Sequence, residues 1–314
     1  MTEMTDNTVM TVGDGLAWAG ASLEEAELEE PVVEAEYLLA ALLDYTKGEL
    51  YLNRTRRMSS AESSAFRSAV ERRSSGEPPQ YIIGEQEFRG LAFKVNSDVL
   101  IPRPETELLV EEVVAVLRGR KWVGESEESP LVIDLCTGSG CIAVTVAHEI
   151  EWVRCIATDL SASALEVAKD NAISHGVDEM VTFKEGDLFA PIDQSDMKGQ
   201  VEIIVSNPPY VPRGDIAALQ PEVSSFEPRT ALDGGEDGLG LIRRIVAGAP
   251  RYLAVNGTLI LEIGYGQAEN VRAIFEESDS SWTVEVKRDY AGIERIVKAR
   301  SCSDGTKGPE EMVK

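Results

Sequence analysis

Four consecutive residues in the second half of the chain have the composition of a binding site for a planar nitrogen group. They follow an apolar run at positions 203–205 and read Asn207-Pro208-Pro209-Tyr210, a segment that we call the Pro-Pro corner. Proline has no N–H, so two in succession leave a stiff stretch of backbone that offers carbonyl acceptors without donors. With the side-chain oxygen of Asn207, this stretch can hold both hydrogens of an NH2 group. Tyr210 can pack flat against the same group.

The chemistry that the Pro-Pro corner favours is methyl transfer to an amide or amine nitrogen. An amide nitrogen is a poor nucleophile because its lone pair is delocalised, so positioning and exclusion of water are the expected sources of rate. Asn207, Pro208 and Tyr210 are the predicted catalytic residues, and all four corner residues, Pro209 included, are predicted to bind the substrate. The alternative interpretation is a rigid turn that only ends a strand. A hydride-transfer enzyme would gain nothing from such a corner.

A glycine-rich turn is the second candidate segment. It lies where the predicted strand at positions 131–135 meets its helix and reads Asp134-Leu135-Cys136-Thr137-Gly138-Ser139-Gly140. Glycines let a ligand approach the backbone closely, and the N-terminus of a following helix offers free amide donors to a carboxylate or phosphate. The turn also fits the loose dinucleotide fingerprint, so alone it does not separate NAD from S-adenosylmethionine, nor does it exclude a turn without a ligand.

Three further residues end the next two predicted strands. Asp159 can accept hydrogen bonds from ribose hydroxyls, or it can cap the helix that begins near Ser161. Asp187 and Leu188 stand where an adenine ring would lie, although Asp187 can equally be a turn residue. Because the Pro-Pro corner favours methyl transfer, S-adenosylmethionine is the expected cofactor. The residues predicted to bind it are Cys136, Thr137, Gly138, Ser139, Gly140, Asp159, Asp187, Leu188 and Asn207.

The elements that must position these residues alternate between helix and buried strand from about residue 105. Helices are predicted at 105–117, 141–150, 162–175, 238–249 and 267–277, and strands at 131–135, 154–158, 181–185, 202–206, 257–263, 283–286 and 293–298. Such alternation predicts an α/β fold with a doubly wound, mostly parallel, seven-stranded Rossmann-like sheet. Ligands bind such sheets at the carboxyl ends of the strands, where the candidate residues stand.

The part of the chain before this sheet has a different pattern. Residues 14–75 carry apolar side chains at helical spacing and predict a small helical domain. Two β-like runs at 80–83 and 91–95 then predict a β-hairpin that joins the two domains. The predicted boundaries are a flexible tail at 1–10, the helical domain at 11–78, the hairpin linker at 79–104, the sheet domain at 105–300 and a flexible tail at 301–314, with a solvated loop at 124–130.

Composition narrows the class of protein. The 314 residues suit about two domains. Thirty basic and 55 acidic residues give a net charge of -25, which disfavours non-specific binding to nucleic acid. No secretory signal or membrane-length apolar run is present, so we expect a cytoplasmic protein without a membrane partner. Four cysteines without paired spacing and only two histidines predict no metal site, and we expect a monomer.

Longer segments carry a resemblance to a known family. Besides the Pro-Pro corner they include Gln80-Tyr81-Ile82, Leu100-Ile101-Pro102-Arg103-Pro104-Glu105-Thr106-Glu107, Phe226-Glu227-Pro228-Arg229, Gly234-Gly235, Glu262-Ile263-Gly264 with Gly266-Gln267, and Arg288-Asp289-Tyr290-Ala291-Gly292. Over roughly residues 34–300 the chain resembles the release-factor glutamine methyltransferases, the HemK or PrmC family.

This resemblance implies an activity, a partner and roles for the residues. It implies methylation of the glutamine in the Gly-Gly-Gln motif of class I peptide chain release factors, with S-adenosylmethionine as the methyl donor. By resemblance, the glycine-rich turn and Asp159 hold the cofactor, Leu188 lies near the adenine, and the Pro-Pro corner holds the glutamine. The helical domain is then the substrate-recognition module. Cys136 stands where glycine is common in the family, and Leu188 where an aromatic residue can occur.

Three other functions are alternatives. A ribosomal-protein glutamine methyltransferase shares the same chemistry. A DNA or RNA amine methyltransferase shares the Pro-Pro-Tyr loop, but the net charge and the absence of a concentrated basic run weigh against it. A non-catalytic binding module that has kept the fold is the third alternative, and the intact Asn207 and glycine turn weigh against it.

Overall fold

The computed structural model describes residues 10–119, 129–192, 197–278 and 281–301. Nearly all of the predicted tails at 1–10 and 301–314, and most of the predicted loop at 124–130, lie outside these residues. The chain divides into two compact units. The first contains Met1–Glu85 and Gln220–Phe226, and the second contains Gln86–Leu219 and Glu227–Lys314.

The first unit is helical, as its spacing of apolar residues predicts. Its helices are α1 (Val12–Glu25), α2 (Pro31–Leu43), α3 (Lys47–Leu52), α4 (Ser60–Ser74) and α5 (Pro79–Ile83), together with the short helix Pro221–Phe226. Helix α4 begins at a capping box, in which the Ser59 side chain accepts the Glu62 N–H and the Glu62 carboxylate accepts the Ser59 N–H. Buried Leu23, Leu39 and Phe66 contribute to its core.

A buried arginine attaches the short helix Pro221–Phe226 to the first unit. Arg73 of α4 is 1% exposed. Its guanidinium donates to the Glu34 carboxylate, at 2.9 Å for one of the two bonds, and to the carboxylate of Glu222. A buried charge is tolerated when it is paired and hydrogen-bonded in this way.

The strand predicted at 80–83 is wrong, because this segment forms helix α5. Pro79 occupies the start of that helix, where the missing N–H costs no hydrogen bond, and Gly84 ends it with a φ of 86°. The predicted hairpin is present, but it begins only after α5 and consists of β1 (Glu85–Phe88) and β2 (Leu91–Lys94). Its turn places Arg89 and Gly90 at positive φ, which is typical of tight hairpins.

The second unit contains the predicted seven-stranded sheet. Its strands are β3 (Leu131–Leu135), β4 (Arg154–Asp159), β5 (Val181–Glu185), β6 (Val201–Ser206), β7 (Leu253–Glu262), β8 (Trp282–Arg288) and β9 (Glu294–Ser301), in the order β5-β4-β3-β6-β7-β9-β8. The first five are parallel, and β9 is antiparallel to both of its neighbours. The α/β fold with a doubly wound, mostly parallel sheet is therefore confirmed.

Helices cover both faces of this sheet. They are α6 (Thr106–Gly119), α7 (Cys141–Glu149), α8 (Ala162–Ser174), α10 (Gly240–Gly248) and α11 (Ala268–Glu276), while α9 (Pro221–Phe226) belongs to the first unit. Alternate residues of a strand point to opposite faces, and in β3 Val132 packs into the core on one side while Ile133 packs into the core on the other. Two covered faces explain why β3 is buried throughout and apolar except for Asp134.

The strand order places a binding crevice at one edge of the sheet. From β3 the chain winds outward to β4 and β5, and it then returns to place β6 on the other side of β3. The carboxyl ends of β3 and β6 thus flank the point where the winding changes direction, which is where open α/β sheets bind ligands. Within the described part of the chain, no helix has the length and apolar character needed to cross a membrane.

Candidate active site

A cavity of about 270 Å3 lies at the carboxyl ends of β3, β4 and β6. Every residue that the sequence predicts for the cofactor lines it except Gly140. Of the Pro-Pro corner, Asn207 and Pro209 contribute to the lining, whereas Pro208 and Tyr210 are not among the lining residues that the structure describes. Segments far apart in the sequence therefore meet at one site.

The glycine-rich turn is tied to the start of α7 by Asp134, a residue of the predicted turn segment to which the sequence analysis assigns no role. The Thr137 hydroxyl donates to Asp134 Oδ2 at 2.6 Å, and the Ala143 N–H donates to the same oxygen at 3.3 Å. Asp134 is fully buried, and burial raises the pKa of its carboxyl to about 7. One oxygen of a buried side chain thus fixes the turn that faces the cavity.

Asp159 fixes the same turn from the neighbouring strand. One carboxylate oxygen accepts the Gly138 N–H at 2.9 Å and the other accepts the Ser161 N–H at 2.9 Å. Burial raises the pKa of Asp159, while these backbone N–H groups act in the opposite direction. The alternative interpretation of Asp159 as a helix cap is wrong, because Ser161 holds the cap position and its side chain accepts the Ala164 N–H.

Gly140 serves packing rather than the cavity wall. It begins α7 with a φ of 81°. A Cβ at this position would lie 3.0 Å from the Cβ of Ala168 and 3.2 Å from its Cα. Only glycine lets α7 and α8 approach this closely without displacing backbone, so the structure shows a packing role for Gly140 and does not include it in the cavity wall.

Two non-glycine residues of the cavity adopt left-handed backbone conformations. Cys136 has a φ of 59° and Leu188 a φ of 50°. The Leu188 carbonyl accepts a hydrogen bond from the Thr158 hydroxyl at 3.2 Å, which holds the turn after β5 against β4. Beside Leu188, the Asp187 carboxylate accepts from Arg244 at 2.7 Å. Burial raises the pKa of the Cys136 thiol, so this cysteine is an uncharged wall of the cavity.

The side chains of the Pro-Pro corner are anchored by a buried chain of hydrogen bonds. Asn207 Nδ2 donates to Thr106 Oγ1 at 3.1 Å, and the Thr106 hydroxyl donates to Glu262 Oε2 at 2.7 Å. The Tyr210 hydroxyl donates to the other oxygen of Glu262 at 3.4 Å. Glu262 is 1% exposed, and burial raises its pKa to about 7.

Two residues contact the main chain of the Pro-Pro corner, Gln267 in the segment after β7 and Gly238 in the loop before α10. Gln267 Nε2 donates to the Tyr210 carbonyl at 2.9 Å. Gly238, at a φ of 76°, packs so closely that a Cβ there would overlap the Tyr210 carbonyl oxygen. Within the part of the chain that the structure describes, neither Asn207 Oδ1 nor the Pro208 carbonyl oxygen accepts a hydrogen bond. Both oxygens thus remain without a hydrogen-bond donor among the described residues.

Sequence reasoning missed Thr106, Glu262 and Gln267 as site residues. All three stand in segments that carry the family resemblance, but no local pattern relates Thr106 to a carboxylate 156 positions away. The one signal in the sequence is a charged residue, Glu262, directly after the apolar run Leu259-Ile260-Leu261. A carboxylate in such a place is buried only when it has partners.

Comparison with known proteins defines the class. The family model of the methyltransferase small domain matches residues 114–220. The solved catalytic domain of hMettl16 in complex with MAT2A 3'UTR hairpin 1 has a TM-score of 0.55 at 15% identity, covering 79% of this chain and 83% of that one, which is a likeness of fold alone. With its seven-stranded sheet and glycine turn, the chain is a methyltransferase of the Rossmann-like class.

Longer matches define the family. The model of the PrmC N-terminal domain matches residues 14–84. A release factor glutamine methyltransferase of Geobacter sulfurreducens is 40% identical over 302 residues, covering 96% of this chain and 99% of its own length. Another, of Chlorobaculum tepidum, is 38% identical over 292 residues, covering 93% and 98%. The chain belongs to the release factor glutamine methyltransferase family.

Proposed function

We propose that this protein methylates the side-chain amide nitrogen of the glutamine in the Gly-Gly-Gln motif of class I peptide chain release factors, using S-adenosylmethionine. The observation that carries the proposal is the pair of acceptors at the Pro-Pro corner, Asn207 Oδ1 and the Pro208 carbonyl oxygen. A primary amide has two N–H donors on one nitrogen, and two fixed acceptors match them. The names of the relatives in the family support the choice of substrate.

In this mechanism the corner orients the nitrogen and excludes water. Holding both N–H groups of the glutamine fixes the plane of the amide, and with it the direction of the nitrogen lone pair perpendicular to that plane. S-adenosylmethionine would supply an electrophilic methyl group, S-adenosylhomocysteine would leave, and the nitrogen would release one of its two protons. Fixing the two reactants in this way lowers the barrier by replacing free motion with a single productive geometry. Pro208 and Pro209 keep the acceptors stiff, and Tyr210 can pack against the amide plane.

The described residues fit the cofactor by the chemistry of their donors and acceptors. Helix α7 presents its free N–H groups behind the glycine-rich turn, and these suit the carboxylate of the methionine portion. Asp159 uses one lone pair of each oxygen on the backbone, so each oxygen can still accept from a ribose hydroxyl. Leu188 and Cys136 provide apolar surface for the adenine, and Asp187 lies beside them.

The remaining assignments concern the partner and the domains. We assign recognition of the release factor to the helical domain at 11–78, with 79–104 as the linker and 105–300 as the methyltransferase domain. The net charge of -25 supports a protein partner over a nucleic acid. We take the working form as a monomer.

The test is methyl incorporation into a purified class I release factor incubated with the protein and labelled S-adenosylmethionine. We expect one methyl group, located by mass spectrometry on the glutamine of the Gly-Gly-Gln motif, and no incorporation when that glutamine is changed to alanine. Incorporation that survives this change would contradict the proposed target. Parallel reactions with ribosomes and with DNA test the two alternative substrates, and labelling of either one in place of the release factor would replace the proposal.

A further inference from the structure

Thr106 and Glu262 form a buried pair directly behind Asn207. Thr106 is the first residue of α6 and is 2% exposed, and Glu262 ends β7. The hydroxyl of Thr106 lies between the other two side chains, 2.7 Å from Glu262 Oε2 and 3.1 Å from Asn207 Nδ2. These contacts place Thr106 between the carboxylate and the amide of the corner.

The chemistry of the pair determines the direction of each hydrogen bond. An ionised carboxylate only accepts, so the single hydrogen of the Thr106 hydroxyl points to Glu262. Toward Asn207, the Thr106 hydroxyl can then act only as a hydrogen-bond acceptor. They match the NH2 end of the Asn207 amide, whereas the oxygen end would meet another acceptor. A buried mismatch of this kind is costly, because neither group can turn to water instead.

The consequence is a fixed orientation of the Asn207 amide. With Nδ2 turned to Thr106, Oδ1 is the end left to accept a hydrogen bond from a target. If the amide were turned over, it would present NH2 to the NH2 of the substrate, and the two donors would repel each other. Glu262 therefore acts on a group that it does not touch, through a hydroxyl that can point only one way.

The same carboxylate also holds the other end of the corner. The Tyr210 hydroxyl donates to Glu262 Oε1, so the side chains of the first and last corner residues converge on one buried group. Glu262 is 1% exposed, and these two hydroxyls donate to its two oxygens. A carboxylate kept at such a position only to join α6 to β7 would not need to reach both ends of a substrate site.

We infer that Thr106 and Glu262 are positioning residues for methyl transfer, and that they set which end of the Asn207 amide faces the substrate. The inference rests on the proposed glutamine methylation. The inference assigns different roles to the two groups of residues. The Pro-Pro corner contacts the substrate, and the buried pair Thr106 and Glu262 determines that the corner presents only acceptors.

The deciding experiment compares Thr106→Val with Thr106→Ser. Valine keeps the shape of threonine but has no hydroxyl, and serine keeps the hydroxyl. For methylation of a purified release factor, we expect kcat to fall roughly 100-fold in Thr106→Val. We expect Thr106→Ser to stay near the kcat of the unmodified protein. The dissociation constant for S-adenosylmethionine, measured by calorimetry, should change much less than kcat in both, because Asn207 is the one predicted cofactor residue with a hydrogen bond to Thr106 among the described residues.

Thr258→Val is a matched control. Thr258 lies on β7, the strand of Glu262, it is fully buried, and its hydroxyl has no hydrogen-bond partner among the described residues. The substitution makes the same chemical change on the strand that carries Glu262, four positions away from it, and kcat should not fall. If kcat falls as much in Thr258→Val as in Thr106→Val, any buried valine on this side of the sheet disturbs the site. The proposed positioning role of Thr106 would then be wrong.

Other outcomes separate this inference from the proposed function. An unmodified protein that methylates no release factor overturns the proposed function. An unmodified protein that is active, with a Thr106→Val variant of normal kcat or a Thr106→Ser variant equally impaired, overturns the positioning role alone. If Thr106→Val does not fold, Glu262→Gln decides. A glutamine amide can donate as well as accept, so we expect a lower kcat with a much smaller change in the dissociation constant for S-adenosylmethionine, and a normal kcat overturns the inference.

Discussion

The backbone N–H of Gly138 donates to a carboxylate oxygen of Asp159 across 2.9 Å, which joins the glycine-rich turn to the end of the neighbouring strand. The residue predicted to contact the ribose thus also shapes the turn predicted to hold the rest of the cofactor. A second bond, from the Ser161 N–H, orients the same carboxylate. Asp159 is therefore held in one rotamer before any ligand arrives, and such preorganisation improves affinity.

Asp159→Asn should weaken cofactor binding. Asparagine has one oxygen, so one of the two N–H groups that Asp159 now satisfies would face an NH2 group. We expect the dissociation constant for S-adenosylmethionine to rise at least about tenfold, equivalent to about 1.4 kcal/mol, measured by calorimetry. Asp170→Asn on the outer face of α8 is the control, since Asp170 pairs only with exposed Lys94 among the described residues. Equal affinity in Asp159→Asn and the unmodified protein would contradict the assignment.

Gly238→Ala should disable the Pro-Pro corner. The added Cβ would overlap the Tyr210 carbonyl oxygen and lie 2.9 Å from Gln267 Nε2, the group that holds this carbonyl. We expect kcat for methyl transfer to fall at least about 100-fold, because a shift of about 1 Å in a positioning group has that effect. Binding of S-adenosylmethionine should change little.

Gly235→Ala is the control for backbone strain. Gly235 also has a positive φ, 94°, but a Cβ there would meet no atom within 4 Å. Both variants therefore carry a residue that disfavours the left-handed region, and only Gly238→Ala adds the overlap with Tyr210. If the two variants lose the same fraction of kcat, backbone strain alone explains the loss and the contact with the corner does not.

The rate of methyl transfer should depend on the ionisation of Glu262. Burial raises its pKa to about 7, Arg295 and the hydroxyls of Thr106 and Tyr210 lower it, and the charge of Glu105 raises it. Only the ionised form accepts from both hydroxyls. Protonation gives Glu262 a hydrogen of its own and removes the constraint on the corner. We expect kcat to be highest above pH 7 and to decline as the pH falls through about 7.

The matching measurement uses Glu262→Gln, which does not titrate. Its kcat should be lower than that of the unmodified protein at pH 8, and it should lack the decline between pH 8 and pH 6. A decline of the same size in both proteins would assign the titration to another group, of which Asp134 is the first candidate because burial raises its pKa to the same range. The comparison at two pH values therefore distinguishes the two carboxylates.

Sequence patterns predicted most of the fold because the sheet is buried on both faces. Val181–Glu185 was predicted with the bounds that the structure has, since its strand is short and bounded by turn residues. Residues 80–83 were mistaken for a strand, because Tyr81, Ile82 and Ile83 favour a strand individually while Pro79 and Gly84 set the ends of a helical turn. Four residues are too few for periodicity to separate the two.

The part of the site that lies at the carboxyl ends of the parallel strands was predicted, because these ends meet at one edge of the sheet. That rule places Asp159, Asn207 and the glycine-rich turn together without any knowledge of contacts. It does not reach Thr106, which comes from the start of a helix, or the direction in which Asn207 is turned. Those depend on hydrogen bonds between side chains that are distant in sequence, and no propensity or spacing encodes them.

Asp134 should make the stability of the protein depend on pH. Its pKa is raised from 3.8 to about 7 in the folded protein, so the folded state favours the neutral carboxyl. Asp134 reduces the free energy of unfolding least below pH 4, where its carboxyl is neutral in both the folded and the unfolded state. This advantage declines as the pH rises and is lost above about pH 7, where the carboxyl is ionised in both states. A shift of this size corresponds to a change on the order of 4 kcal/mol in the free energy of unfolding.

The variant that reveals this effect is Asp134→Asn, compared at pH 5 and pH 8 by urea unfolding. Both hydrogen bonds to Asp134 reach Oδ2, and Oδ1 has no partner among the described residues, so one amide oxygen can replace the carboxylate. We expect the variant to gain stability relative to the unmodified protein on going from pH 5 to pH 8. Asp237→Asn is the control, because the pKa of Asp237 is lowered to about 2 by its bonds to Arg243, and its ionisation does not change over this range. A difference between unmodified protein and Asp134→Asn that is the same at both pH values would show that Asp134 stays charged in the folded state, and the buried carboxylate would then need a partner that the turn does not provide.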